Sequence, residues 1–208
     1  MYDQRGMSIR PSSRRPAASS SIRRSSRTGA AAQHGRRLAA HAAALIPRTD
    51  EPYFVVEIGP GTGAVTDAIQ ARLPRNGTLI AVERCPLMVE HLHRTRPWLD
   101  VIPGDAADLP EILRRYGLSQ PNLIISGLPW SLWNAEQQTR TLVALTGSLL
   151  PDGVLGAALD ACPRPAPADV RFRRQLHQRF QHVRGERLIW LSAPPARWYV
   201  AAHPLLDV

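Results

Sequence analysis

Apolar and polar positions along the chain alternate between two periods. Short, almost uninterrupted apolar runs read as strands buried on both faces: "YFVVEIG" (53–59), "GTLIAVE" (77–83), "DVIPGD" (100–105), "NLIISGL" (122–128) and "GVLGAALDA" (153–161). Between them lie segments with helical spacing. These are "VTDAIQARL" (65–73), "PLMVEHLHRT" (86–95) with Pro86 at its start, "LPEILRRYG" (109–117) closed by Gly117, and "AEQQTRTLVALTGSLL" (135–150). A further helix is expected over "DVRFRRQLHQRF" (169–180), followed by two strands, "ERLIWLSA" (186–193) and "RWYVAAHP" (197–204), linked across Pro194 and Pro195. Strictly alternating strands and helices imply a Rossmann-like, doubly wound α/β fold with a mostly parallel seven-stranded sheet. The last two strands have too short a link for a parallel crossover, so they form an antiparallel pair at the C-terminal end.

Ahead of the first strand, "GAAAQHGRRLAAHAAALIP" (29–47) predicts a helix over 30–46 that Pro47 stops. Leu38, Ala42, Leu45 and Ile46 share one face, with Arg37 and His41 off it. Residues 1–28 are Arg, Ser, Pro and Ala with almost no apolar content, and are expected to be a disordered tail. The domain is accordingly expected over 29–208. The tail's composition also fits an organellar transit peptide, but no apolar stretch follows the charges as a secretory signal requires.

Charge sharpens this division. The chain carries a net +9, and residues 1–37 hold nine arginines against Asp3 alone, so the rest is close to neutral. Cys85 and Cys162 stand far apart with no metal-ligand spacing, so no disulfide framework and no metal site is expected, and a reducing compartment follows. No apolar run is long enough to span a bilayer.

The candidate chemistry lies where strands end. "VVEIGPGTGAV" sets Glu57, Gly59, Gly61 and Gly63 at alternate positions between a strand and a helix. Such a loop turns tightly and lets a ligand approach the backbone. Its third glycine comes one residue too early for the dinucleotide fingerprint, and the Gly-Lys-Ser/Thr of a phosphate loop is missing. Glu83 ends the next strand, 26 residues on, where a carboxylate accepts from both hydroxyls of a ribose. Asp105 follows the third strand, placed to accept from an exocyclic adenine amine. Singly, each has an ordinary reading: a surface ion pair for Glu83, a turn or helix cap for Asp105. Together and in order, they point to a nucleoside ligand without a phosphate.

With these residues the chain, from about Ala30 onward, resembles the class I S-adenosylmethionine-dependent methyltransferases. The resemblance implies that Glu57 and the loop Gly59-Pro60-Gly61, with Gly63, hold the methionine end of S-adenosylmethionine. It further implies Glu83 at the ribose, Asp105 and Ala106 at the adenine, and Arg84 and Ser126 among the other cofactor-binding residues. "GLPW" (127–130) then bears on the acceptor. Ribosomal RNA adenine dimethyltransferases carry Asn-Leu-Pro-Tyr or a close variant there, and the Asn holds the planar target amine. Here Gly127 replaces that Asn. "SGLP" is instead similar to the small bacterial phospholipid N-methyltransferases, as are "TGAAAQHGRRLAAHAA" and "RLIWLSAPPARWYVAAHP". That likeness implies an amine acceptor on a phospholipid headgroup such as phosphatidylethanolamine, with Gly127, Leu128, Pro129 and Trp130 as the catalytic loop. Gly127 is expected to make room for an amine that grows with each methyl. Trp130, Trp133 and Tyr199 are expected to face the methylammonium by cation–π attraction, with Asn134 in contact with the acceptor. The partner implied is an anionic membrane surface, met by the Arg-rich tail and the apolar face of the first helix, with the protein cytoplasmic and peripheral at the membrane. The alternatives are a small-molecule N- or O-methyltransferase of secondary metabolism, a ribosomal RNA adenine methyltransferase, and a catalytically idle cofactor-binding module. The missing Asn, and the lack of an RNA-binding domain after the last strand, count against nucleic acid.

Overall fold

The computed structural model describes residues 37–160, 167–185 and 196–205. Seven strands form one sheet in the order β3-β2-β1-β4-β5-β7-β6. They are β1 (Tyr53–Ile58), β2 (Gly77–Glu83), β3 (Asp100–Pro103), β4 (Leu123–Ser126), β5 (Val154–Asp160), β6 (Phe180–Gly185) and β7 (Ala196–Pro204). The first five run parallel, and β7 lies antiparallel between β5 and β6. The mostly parallel sheet with a reversed last strand is thus the one the alternating pattern implied.

Alternation within strands explains the three layers. Val55 and Val56, adjacent in β1 and both fully buried, belong to opposite cores. One face of the sheet is covered by α1 (residues 37–44), α2 (Thr66–Arg72) and α3 (Pro86–Thr95), through Ala42, Ile69, Val89 and Leu92. The other is covered by α4 (Leu109–Arg115), α5 (Ala135–Ser148) and α6 (Pro167–Arg179), through Ile112, Leu142, Leu145, Phe172 and Leu176. Single 3-10 turns follow β3 (Ala106–Asp108) and β4 (Trp130–Leu132).

Three expectations change here. The sixth strand begins at Phe180, the last residue expected in the preceding helix, because Phe180 and His182 pair with Pro204 and Ala202 of β7. The strand expected over 186–193 lies outside the described residues, as do the Arg-rich tail over 1–28 and the beginning of the helix expected over 30–46. The apolar face of α1 is not available to a membrane. Ala42 and Ile46 are fully buried in the core with Trp198 and Val200, and Leu38 and Leu45 pack against the same cluster. Even His41, expected off that face, stacks on Trp198 with ring centroids 6.3 Å apart. Among the described residues no helix is long and apolar enough to cross a membrane.

Candidate active site

The C-terminal ends of β1, β2, β3 and β4 surround a cleft of about 290 Å³. Four sequence-distant segments meet there, as expected where an open parallel sheet reverses its strand order. The glycine loop after β1 forms the floor. Gly59, Gly61 and Gly63 have φ of +65°, +56° and +77°, which side-chain-bearing residues rarely adopt. Gly59 donates its N–H to the Val82 carbonyl at 2.9 Å, which ties the loop to β2.

Glu83 walls this floor. Its Oε2 accepts from the Gly61 N–H at 3.1 Å and its Oε1 from the Cys85 N–H at 2.8 Å. A carboxylate offers about four lone-pair sites, so each oxygen keeps capacity for a ligand hydroxyl. Asp105 lines the next part of the cleft. It is also the cap anticipated for it, since Oδ1 accepts from the Ala107 N–H at 2.9 Å. Its Oδ2 accepts from Arg84 at 3.3 Å. Arg84 is 73% exposed, so this ion pair adds little stability and yields easily to a ligand. Ala106 and Cys85 also line the cleft.

Glu57 lies behind the loop, not in the cleft. It is 2% exposed and accepts from Thr66 Oγ1 at 2.7 Å. Burial pushes its carboxyl up to about 7, against the lowering effects of the Thr66 hydrogen bond and the nearby Arg96 guanidinium. Pro60 and Gly63 shape the loop without lining the cleft, the Pro60 carbonyl accepting from the Gly63 N–H at 2.9 Å. Arg96 was missed by the sequence reading. It grips Asp67 through two nitrogens at 2.7 Å and donates to the Thr62 and Gly63 carbonyls at 3.1 and 3.0 Å, clamping the loop from outside. Asp67 and Arg96 are 29 residues apart, and no local pattern in the sequence announces their pairing.

On the β4 side the expected residues part company. Gly127, Leu128, Pro129 and Trp133 line the cleft. Trp130 does not: it is fully buried, its indole 4.6 Å from Phe172 and 5.1 Å from Trp133, centroid to centroid. Its Nε1–H donates to Ser126 Oγ at 3.1 Å, so Ser126, 1% exposed, anchors the tryptophan within the core. Tyr199 is 5% exposed and packs edge-on to Phe172. Asn134 caps α5 in a reciprocal capping box with Gln137. Buried Gln138 and Arg171, also missed, hold the segment: Gln138 donates to the Trp130 carbonyl at 2.7 Å and Arg171 to the Trp133 carbonyl at 3.1 Å. Of the three expected aromatics, Trp133 is therefore the one that lines the cleft.

Gly127 has a nearer reason to be glycine than room for an acceptor. A Cβ there would sit 2.7 Å from the Gly59 carbonyl oxygen. A Cβ at Gly59 would in turn approach Leu128 Cδ2 to 3.1 Å. The two loops touch backbone to backbone, which no side chain at 127 permits without moving one of them.

No family profile matches the chain. Among solved structures it is similar to the magnesium protoporphyrin IX methyltransferase of Synechocystis with bound S-adenosylmethionine. The TM-score is 0.64 at 12% identity, covering 90% of this chain and 86% of that one. It is also similar to Aeropyrum pernix fibrillarin with natively bound S-adenosyl-L-methionine, with a TM-score of 0.58 at 17% identity, covering 80% and 74%. The fold is that of the class I S-adenosylmethionine-dependent methyltransferases. Two relatives agree in sequence. An ornithine lipid N-methyltransferase of Singulisphaera acidiphila is 34% identical over 102 residues, 48% of this chain and 53% of that protein. A probable ribosomal RNA small subunit methyltransferase A of Thermococcus onnurineus is 38% identical over 82 residues, 38% and 26%. The matched stretches span about half of the first relative and about a quarter of the second.

The cleft residues fit S-adenosylmethionine. Glu83 keeps acceptor capacity for hydroxyls of a ligand, and Asp105 presents a second carboxylate to the same cleft. At Gly61 a Cβ would meet nothing within 4 Å, so the loop is open toward a ligand there.

Proposed function

We propose that this chain is an S-adenosylmethionine-dependent N-methyltransferase whose acceptor is the aliphatic amine of a membrane lipid headgroup, phosphatidylethanolamine first among them. The observation that carries this reading is the acceptor side of the cleft, walled by Leu128, Pro129 and Trp133 with no carboxylate among them. Gly127 stands where RNA adenine methyltransferases place a planar-amide Asn, and its contact with Gly59 leaves no room for such a side chain. The lipid-methylating relative from Singulisphaera supports the acceptor class.

When bound, S-adenosylmethionine supplies a methyl already activated on a sulfonium, so the protein's work is alignment and exclusion of water. Glu83 and the Gly59–Gly61 backbone would fix the ribose and methionine ends. Leu128, Pro129 and Trp133 would wall the acceptor side. Among the described residues, the carboxylates lining the cleft, Glu83 and Asp105, both stand on the cofactor side. Trp133 would face the methylammonium product, an attraction worth about 0.5–2 kcal/mol. The protein would work at the cytoplasmic face of a membrane as a peripheral enzyme.

RNA is the second reading, favoured by the Thermococcus relative and by the arginines of residues 1–37. The test is methyl transfer from labelled S-adenosylmethionine to aminolipid vesicles, to RNA and to a metabolite extract in parallel, with mass spectrometry of the products. Mono- to trimethylated aminolipid is expected. Label found only in RNA or in a soluble metabolite overturns the lipid reading.

A further inference from the structure

Four hydrogen bonds gather behind the acceptor wall, and one side chain takes part in three of them. Gln138 of α5 is fully buried. Its Nε2 donates to the Trp130 carbonyl at 2.7 Å and to the Ala168 carbonyl at 3.1 Å, while its Oε1 accepts from Arg171 Nε at 3.0 Å. Arg171 of α6 is half-buried and donates through a second nitrogen to the Trp133 carbonyl at 3.1 Å. The Gln138 nitrogen is spent on two carbonyls and its oxygen on a guanidinium, so the amide has one workable orientation. Among the described residues no carboxylate pairs with Arg171. Its donors are committed to two neutral oxygens instead.

The two carbonyls held on the β4 side belong to opposite ends of one short turn, the 3-10 turn Trp130–Leu132 with Trp133 as its C-cap. A single turn of this kind has weak hydrogen bonds of its own. Its closing bond, from the Trp133 N–H to the Trp130 carbonyl, is long at 3.4 Å. Leu132 within it is 80% exposed and adds little packing. Trp130 is anchored in the core, whereas Trp133 leans edge-on against Trp130 and lines the cleft. Where the Trp133 ring stands is therefore set largely by how its backbone is held. None of the four bonds reaches Glu83, Asp105 or the glycine loop, so the brace is separate from the cofactor residues.

We infer that Gln138 and Arg171 are positioning residues for the methyl acceptor: gripping both ends of the turn, they fix the Trp133 ring in the cleft and, through it, the acceptor amine. Transfer between two bound reactants is sensitive to such placement, and a shift of about 1 Å can cost about a hundredfold in rate. A positioning role differs from a plain fold contact in what it moves. It acts through one side chain, Trp133, and it spares the cofactor. The inference rests on the reading of the cleft as an amine-methylating site with Trp133 on its acceptor side.

The test is a cycle of four full-length proteins: wild type, Arg171→Met, Trp133→Ala and the double variant. Each is assayed below its melting temperature with a monomeric short-chain phosphatidylethanolamine as acceptor. Arg171→Met is expected to lower kcat/KM for the acceptor about tenfold to a hundredfold, the worth of a hydrogen bond from a charged group. In the Trp133→Ala background the same change is expected to cost no more than about twofold, because the two residues act as one unit. Calorimetric affinity for S-adenosylmethionine is expected to stay within about twofold of wild type throughout, well under the tenfold that each 1.4 kcal/mol brings. Amide hydrogen exchange is expected to speed up over residues 128–134 in Arg171→Met and to stay unchanged over β1, β2 and β3. Should Arg171→Met fail to fold, Arg171→Lys carries the same comparison, since one ammonium cannot reproduce the fork that serves Gln138 and Trp133 together. Equal losses of kcat/KM in both backgrounds overturn the inference. So does a cofactor affinity that falls in step with turnover, or unchanged exchange over 128–134. If wild type leaves the lipid unmethylated, the lipid reading falls, while exchange and cofactor affinity still decide whether the brace holds the acceptor wall alone.

Discussion

The two banks of the cleft use their sequence in opposite ways. On the β1–β3 bank, residues picked for a ligand hold the backbone and still face the cleft: Glu83 accepts from Gly61 and Cys85, and Asp105 caps the turn after it. On the β4 bank, residues picked for an acceptor are largely spent on the fold. Trp130 and Tyr199 fill the core, Ser126 anchors Trp130, and Asn134 caps α5. A cofactor site recurs with its backbone and is built from strand-end carboxylates and loop amides. An acceptor wall is whatever surface packing leaves uncovered. The lesson is that motif residues near chemistry divide into those that face it and those that hold the others in place.

The sharpest way to break this comparison is at the seam between the banks. Gly127→Ala places a Cβ 2.7 Å from the Gly59 carbonyl, so one loop must shift. Cofactor affinity should fall by about 3 kcal/mol, roughly 100-fold, at the upper end of overpacking costs. The loss should be the same for first and later methylations, since it acts through the cofactor loop. Calorimetry with S-adenosylmethionine and product ratios read the two effects apart. A variant with native cofactor affinity that stalls at the monomethyl product would restore the idea that Gly127 makes room for the acceptor.

Within the cofactor bank, Glu83→Ala should weaken S-adenosylmethionine binding by about 1.5–3 kcal/mol, the range for hydrogen bonds to a charged group. Unchanged affinity in the folded variant would remove Glu83 from the ribose role.

Glu57 makes a different contribution, visible in pH. Its carboxyl titrates near 7 in the fold, above the ordinary 4.5, because it is buried. Between those values the folded state holds a proton that the unfolded state has lost. Stability therefore declines as pH rises through this window and stays lower above it. Glu57→Gln removes the ionisation and should be more stable than wild type at pH 8, by about 3 kcal/mol, with little difference at pH 4.5. Urea unfolding at both pH values checks this. Equal pH profiles for the two proteins would mean that Glu57 is not the group responsible.

Most of the fold was legible because its signals are local. Each parallel strand is a short apolar run, and Pro86 and Gly117 mark helix ends within a residue or so of where the structure has them. The start of β6 was not legible, because Phe180 continues the helical spacing of α6 and only pairing with Pro204 makes it a strand. The cofactor half of the site was legible for the same local reason, spacing along a loop and positions at strand ends. Arg96, Gln138 and Arg171 were invisible, since each acts across 29 or more residues or through a backbone carbonyl that any sequence would provide. Trp130 and Trp133 show the limit most plainly. They are alike in sequence and three residues apart, yet one is fully buried and the other lines the cleft, a choice made by Phe172 and Ser126 in the tertiary packing.

The smallest expected effect tests the division itself. Asn134 accepts from the Gln137 N–H at 2.9 Å, and Gln137 Oε1 accepts from the Asn134 N–H at 3.3 Å, so both groups are engaged at the start of α5. Its side chain is committed to the helix, whereas a substrate contact would need it to turn toward the cleft. Asn134→Ala should therefore cost about 1 kcal/mol of stability, the usual loss for a missing cap. Asn134→Asp, which retains the acceptor and adds a charge favourable at a helix N-terminus, should restore it. Neither change should alter KM for the acceptor by more than about twofold at a temperature where both variants are folded. Thermal unfolding and initial rates separate the outcomes. A rise in KM for Asn134→Ala with unchanged stability would return Asn134 to the acceptor wall, and would show that the β4 bank reads from sequence as directly as the cofactor bank does.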